Sequence, residues 1–526
     1  MYAAITAAEI VVLGVATGWL TIVVVDGSVR RLFPRAWAAS LGVLSFWVAI
    51  VGVLAVTSSN ALLALSAATA LVLVAAFLRA RPGLGRSRRL PPGSMSLISS
   101  VKALAHREFY VDRATRHGPI FKMAQYRHKV VCVVGLERGH RLLRDRATSI
   151  GTSPLPFTHE IAGGFLRYMD RDTHRVYAPL FRRALAKPVV GAAAPSTGAA
   201  ARRELRQLAV DCSSSPTGSV APGPYLERIV FESFMQVLFG IGPATDICDR
   251  FVSSYRALED QPLGAPLTKD ARESLIALRR LLLEQHDQFR VQASSPVCSL
   301  AELGRIDPRM PDEVCLDNIL FVLKLSTANV VSLLHWLVDT VGRQPDLLPR
   351  IREEMTAVQG DGVPDLLDRV IMETLRLGQS EYLFRTITED FEFEGFSFPR
   401  GWQIRICVWE SHRDAAMFHE STQFCPGRFL ERDFSSSEYS PFGWGAHTCN
   451  GVVLTTMICR AVLEALSGFE FEVTGGDPAE HGSRHWNHWR PNSALRLRLA
   501  DPIELPVPAA DVVRVEGALA DRVAAP

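Results

Sequence analysis

The chain has 526 residues, 48% of them hydrophobic, and a formal net charge of +2. This is enough apolar material for one large core and too little positive charge for a polyanion-binding protein, so nucleic acid is not an expected partner. The nine cysteines are odd in number and scattered, with no CxxC pair and no Cys/His zinc spacing, which excludes a disulfide scaffold or a zinc module.

Apolar runs at 4–25, 37–56 and 61–77 are each close to the about 20 residues a helix needs to cross a bilayer. Glu9 interrupts the first run; no charge interrupts the other two. Arg30, Arg31 and Arg35 lie between runs one and two, and Arg79, Arg81, Arg86, Arg88 and Arg89 follow run three. By the positive-inside rule both basic segments are cytosolic. The expected organisation is a membrane anchor at 1–80 with three transmembrane helices, a Pro/Gly/Arg linker at 81–94 and a cytosolic globular domain at 95–526. That makes a multi-pass protein of the endoplasmic reticulum in a eukaryote or of the plasma membrane in a bacterium.

In the globular part, 120–122 and 130–134 read as two short strands able to pair as a hairpin. Apolar residues recur at helical spacing over 225–238, 311–341 and 347–377. Strand signals return at 392–398, 402–408, 469–473 and 495–499. Residues 187–201, rich in Ala, Pro and Gly, and 212–223, rich in Ser and Pro, read as surface loops. The predicted fold is mainly α with small β-sheets.

Pro441-Phe442-Gly443-Trp444-Gly445-Ala446-His447-Thr448-Cys449-Asn450-Gly451 precedes an apolar helical run. A cysteine at the mouth of a helix meets unpaired backbone N–H groups and the positive dipole end, which favour a thiolate. Upstream, Glu373 and Arg376 are three apart and share a helix face, and Arg428 lies in Phe424-Cys425-Pro426-Gly427-Arg428-Phe429.

These segments resemble the cytochrome P450 family: Phe442, Gly445, Cys449 and Gly451 match its haem-binding signature, and Glu373, Arg376 and Arg428 its Glu-Arg-Arg cluster. The resemblance implies a P450 fold after N-terminal transmembrane helices, haem b (iron protoporphyrin IX) as cofactor and Cys449 as axial iron ligand. It also implies Arg385, His174 and His447 as propionate partners. His447 stands where the family usually has Arg, and Ala178 where an Arg would follow His174.

Within 311–341, counting back from Trp336 puts Ala328 and Asn329 where most family monooxygenases carry an acid followed by Thr. Ser326 and Thr327 are close by. Family members with Asn at that position include peroxide isomerases that need no reductase and sterol hydroxylases that do. The resemblance therefore implies a monooxygenase hydroxylating or epoxidising a lipophilic terpenoid, sterol or polyketide, in secondary metabolism. Its electrons would come from NADPH through a separate P450 reductase or ferredoxin-type donor. The alternatives are a peroxide-rearranging isomerase and a non-catalytic haem protein. The expected docking surface for the donor is the proximal face around Cys449, with Arg428 and Arg460 nearby in sequence. His481, His485 and His488 are not read as a metal site, since no carboxylate or Cys completes a ligand set.

Overall fold

A computed structural model of the protein describes residues 89–499, apart from 126–127, 153–159, 162–163, 263–264, 292–295, 357–365, 380–381, 475–488 and 492–493. The predicted membrane spans and His481, His485 and His488 lie outside the described residues. Two units are distinguished. The first comprises the described residues within 89–152, 160–259 and 270–499. In the second, the described residues within 260–269 form a turn organised by Gln261, whose Nε2 donates to the carbonyls of Pro262, Ala265 and Pro266.

The first unit has a six-stranded sheet in the order β1-β2-β3-β8-β5-β4, built from β1 (Gly93–Ser94), β2 (Ile120–Gln125), β3 (His128–Val134), β4 (Ile150–Gly151), β5 (Tyr382–Ile387) and β8 (Gln403–Cys407). The predicted hairpin is β2 against β3, antiparallel with Ile120 opposite Val133. Alternation sends Ile120, Val131, Val133, Ile404 and Ile406 to one apolar cluster and Phe121, Met123, Val130, Cys132 and Cys407 to another, so both faces are covered. A hairpin of β6 (Phe391–Phe393) and β7 (Phe396–Phe398) and a pair of β9 (Phe469–Thr474) with β10 (Ala494–Leu499) fall where strands are predicted. β1 pairs with β2, so the end of the predicted linker belongs to the sheet.

The helices used below are α1 (Leu136–Asp145), α2 (Arg171–Ala184), α3 (Ala194–Ser214), α4 (Gly223–Phe234), α5 (Asp246–Glu259), α6 (Lys269–Val291), α7 (Asp312–Gly342), α8 (Leu366–Gly378) and α9 (Val452–Leu466). α3 corrects the loop predicted at 187–201, where Lys187–Gly191 is helical too. Pro195 sits in the first turn of α3, where its missing N–H costs no hydrogen bond. Ala200, Ala201 and Leu205 are buried, and α3 packs on α4 and α9, for which small side chains are suited. α2 starts on Asp170, whose carboxylate accepts from the N–H groups of Asp172 and Thr173.

Among the described residues α7 is the helix long and apolar enough to cross a membrane, and most of it is buried in the domain. Polar side chains tie it to its neighbours. Buried Asp317 takes two hydrogen bonds from Arg279 of α6 at 2.6 and 2.5 Å. Buried Asn318 accepts from Leu166 N–H at 2.6 Å, and Lys324 Nζ donates to the carbonyls of Leu258 and Glu259 at the end of α5. Trp336 meets α8 at Gly378, where a Cβ would stand 2.6 Å from Trp336 Cγ. Arg107 lies between the Trp336 and Trp409 rings and donates to Gly378 O.

Gly378→Ala should therefore destabilise the domain by about 1–3 kcal/mol through overpacking, measured by denaturant unfolding. An unchanged midpoint would show that α7 and α8 are not held in this contact.

Candidate functional site

The segment before α9 is a tight loop. Gly443 and Gly445 have φ of +73° and +67°, Gly445–His447 forms one 3₁₀ turn, and Cys449 N–H donates to Phe442 O at 2.9 Å. Cys449 is exposed, and the protein packed around it is still the largest influence on its thiol, raising the pKa. Gly451 N–H, 3.4 Å from Sγ, and the charge of Arg167 act the other way, toward the thiolate.

Beside this loop the structure gathers cations. The His174 and His447 rings are 4.4 Å apart, and burial first, then nearby guanidiniums including Arg385, depresses the pKa of both. His447 is held down to about 3, first by burial and then by Arg385, His174 and Arg167. Arg385 is itself lowered to about 10, by burial and then by Arg167. Its guanidinium donates to Phe384 O, and among the described residues neither Arg385 nor Arg167 makes an ion pair. Two guanidiniums and two imidazoles crowded without a carboxylate suit a group that brings its own carboxylates, and the adjacent thiol suits a soft metal. Haem fits that donor set. Arg167 is a residue that motif reading missed, because it sits in the loop before α2 and belongs to no spaced pattern. Ala178, where a cation is absent from α2, is buried.

Glu373 and Arg376 on α8 are both fully buried. The carboxylate accepts from Arg376 Nε at 2.8 Å and Nη2 at 2.7 Å, from Arg428 Nε at 3.1 Å and from Cys425 N–H at 2.9 Å. Arg376 also donates to the carbonyls of His412, Ser421 and Gln423, and Arg428 to that of His419. The predicted cluster is thus one network that fixes the chain leading to the Cys449 loop. Buried His412, pushed down to about 3 by burial and Arg376, accepts from Ser440 N–H just ahead of that loop.

Neither Arg428 nor Arg460, the basic residues expected near the docking surface, contributes an exposed charge to it. Arg428 is buried on Glu373, and Arg460 is buried on Asp368 at 2.8 Å. A charge at 3–6% exposure needs a partner inside, and each has one.

On the other side, α7 is buried through 314–321 and again from Val330, but no residue of 324–329 is fully buried, which marks where the helix faces open space. Asn329 is exposed, and Ser326 is partly so. Thr327 Oγ1 donates to Leu323 O at 2.7 Å, which commits its proton within the helix. The Asn329 carbonyl accepts from Gln379 at 3.3 Å, a contact with no motif to announce it.

Replacing Glu373 with Gln leaves two buried guanidiniums without a counter-charge, a loss of about 3–5 kcal/mol. Chemical denaturation of the variant should show it; wild-type stability would contradict a structural role for the cluster.

Several known proteins are similar to this chain. A cytochrome P450 family model matches residues 304–488. Abscisic acid 8'-hydroxylase 2 of Arabidopsis thaliana is 24% identical over 441 residues, covering 78% of this chain and 90% of that protein. Abscisic acid 8'-hydroxylase 3 of Oryza sativa subsp. indica is 24% identical over 426 residues, covering 75% and 83%. Among solved structures, a retinoic acid-bound cyanobacterial CYP120A1 superposes with a TM-score of 0.65 at 20% identity over 79% of this chain and 100% of its own. A zebra fish cytochrome P450 with progesterone gives 0.61 at 17% identity over 75% and 99%. The P450 fold, the family match over residues 304–488 and the hydroxylase relatives together support a cytochrome P450, an oxidoreductase.

Proposed function

We propose that the protein hydroxylates a lipophilic small molecule as a haem-thiolate monooxygenase, with Cys449 as the axial ligand and Arg385, Arg167, His174 and His447 holding the propionates. The observation that carries this reading is the pairing of two guanidiniums, Arg385 and Arg167, that make no ion pair among the described residues with the two imidazoles His174 and His447, beside the Cys449 loop. Bound haem would supply a redox-active iron for activating dioxygen. The protein's own part is to hold Sγ at the mouth of α9, to neutralise the carboxylates of the cofactor and to present Asn329 from α7. The Asn329 amide both donates and accepts, so it can order a water on that side but cannot ionise as an acid does.

Electrons would come from NADPH by way of a separate P450 reductase or ferredoxin-type donor. Arg171, Arg175 and Arg182 are exposed and fall within about 40° of one another around α2. His174 of the same helix meets His447, so this basic stripe borders the Cys449 loop and suits an acidic donor. The proteins compared above bear the names of abscisic acid, retinoic acid and progesterone, all lipophilic. They support a terpenoid- or sterol-like substrate; a role in secondary metabolism, and entry from the membrane to which residues 1–80 would hold the domain by three spans, belong to the same proposal and rest on the sequence.

Asn329, together with a Thr327 hydroxyl already committed to Leu323, favours one second reading: an isomerase that rearranges a peroxide without a reductase. Product, NADPH consumption and hydrogen peroxide measured together separate the two. The monooxygenase needs NADPH and a reductase, and Asn329→Ala should keep consuming NADPH while peroxide replaces product. Turnover of an organic hydroperoxide with no NADPH would favour the isomerase, and unchanged coupling in the variant would remove Asn329 from the reaction.

A further inference from the structure

Trp444 is flanked by Gly443 and Gly445, both with positive φ, so the loop ahead of Cys449 passes through two positions with little stiffness of their own. Between Phe442 and Ala446 it is the one residue that can anchor the path by its side chain. Its ring packs against the apolar cluster under the sheet and stacks on His140 of α1, with centroids 3.8 Å apart and planes 27° from parallel. α1 comes this close because residue 139 is glycine. A Cβ there would lie 2.7 Å from Ile406 Cγ2 and 3.6 Å from Trp444 Cη2. His140 Nε2 is buried and has no hydrogen-bond partner among the described residues. Burial, with Arg144, lowers the His140 pKa to about 4, so the ring is neutral near pH 7. The histidine is present as an aromatic plate.

We propose that His140 is a positioning residue for the cysteine ligand: by clamping Trp444 it fixes the loop path that sets the direction of Cys449 Sγ. The link is short. Trp444 holds Gly443, Gly443 follows Phe442, and the Phe442 carbonyl accepts from Cys449 N–H. On the far side, Leu383 of β5 closes over Gly443, 3.6 Å from where a Cβ would stand. This inference rests on Cys449 being the haem ligand.

The test uses the haem-loaded full chain, and reads the ratio of thiolate-type to thiol-type Soret signal in the reduced carbon monoxide complex, with haem content measured separately. His140→Phe keeps the plate and should match wild type. His140→Ala should lower the ratio by about two- to tenfold at equal haem content, the range an aromatic pair is worth. Gly139→Ala, which pushes α1 off the loop, should lower it as well and serves if the alanine variant fails to load haem. A wild-type ratio in His140→Ala or Gly139→Ala, or a fall in His140→Phe equal to that in His140→Ala, overturns the clamp. A wild type with only thiol-type signal overturns the Cys449 reading, and the clamp with it.

Discussion

Glu373 is a carboxylate with no contact to water, shared between two guanidiniums and a backbone N–H. Such a group is stable only if each partner stays in place, because a buried charge without its counter-charge costs several kcal/mol. Its partners come from α8 itself and from the segment ending at Arg428. Arg376 in turn gathers three carbonyls from 412–423, a stretch without regular structure beyond one short turn of helix ahead of it. Irregular chain of that length would otherwise sample many paths. The cluster gives it one, and the Cys449 loop follows directly from its end.

Two elements are then each held in place by buried polar ties. One, α9 with its loop, carries the thiol, backed by buried Arg460 on Asp368. The other, α7, is pinned by Asp317 to α6, by Asn318 to the loop at 164–166 and by Lys324 to the end of α5. These polar ties lie on a helix whose remaining length is packed against apolar neighbours. Its accessible stretch at 324–329 therefore follows directly on a firmly anchored turn.

Much of this was legible in the sequence because the relevant chemistry is local. The Cys449 loop, the Glu373/Arg376 pair, the long helix and most strands lie in short segments whose spacing reports their structure. The misreadings have a common cause in long-range partners. Arg460 is set beside a docking surface, since nothing near it in sequence shows that Asp368 waits for it in the core. α3 read as a loop, because its Ala, Gly and Pro content only makes sense once α4 and α9 are seen packed closely against it. Arg167 entered the cationic group unannounced, although His174 and Arg385, tied to recognisable segments, were anticipated. His447, a departure from the usual Arg, is compensated in space by Arg167 rather than by any neighbour in the chain.

The central claim is that Cys449, and no other of the nine cysteines, ligates the haem iron. The most direct measurement is the Soret spectrum of the reduced carbon monoxide complex of wild type beside Cys449→Ser, each reconstituted with haem. A thiolate-type band in wild type and its loss in the serine variant is the predicted result, because an alcohol cannot donate charge to iron as a thiolate does. The same thiolate-type band in both proteins would contradict the account.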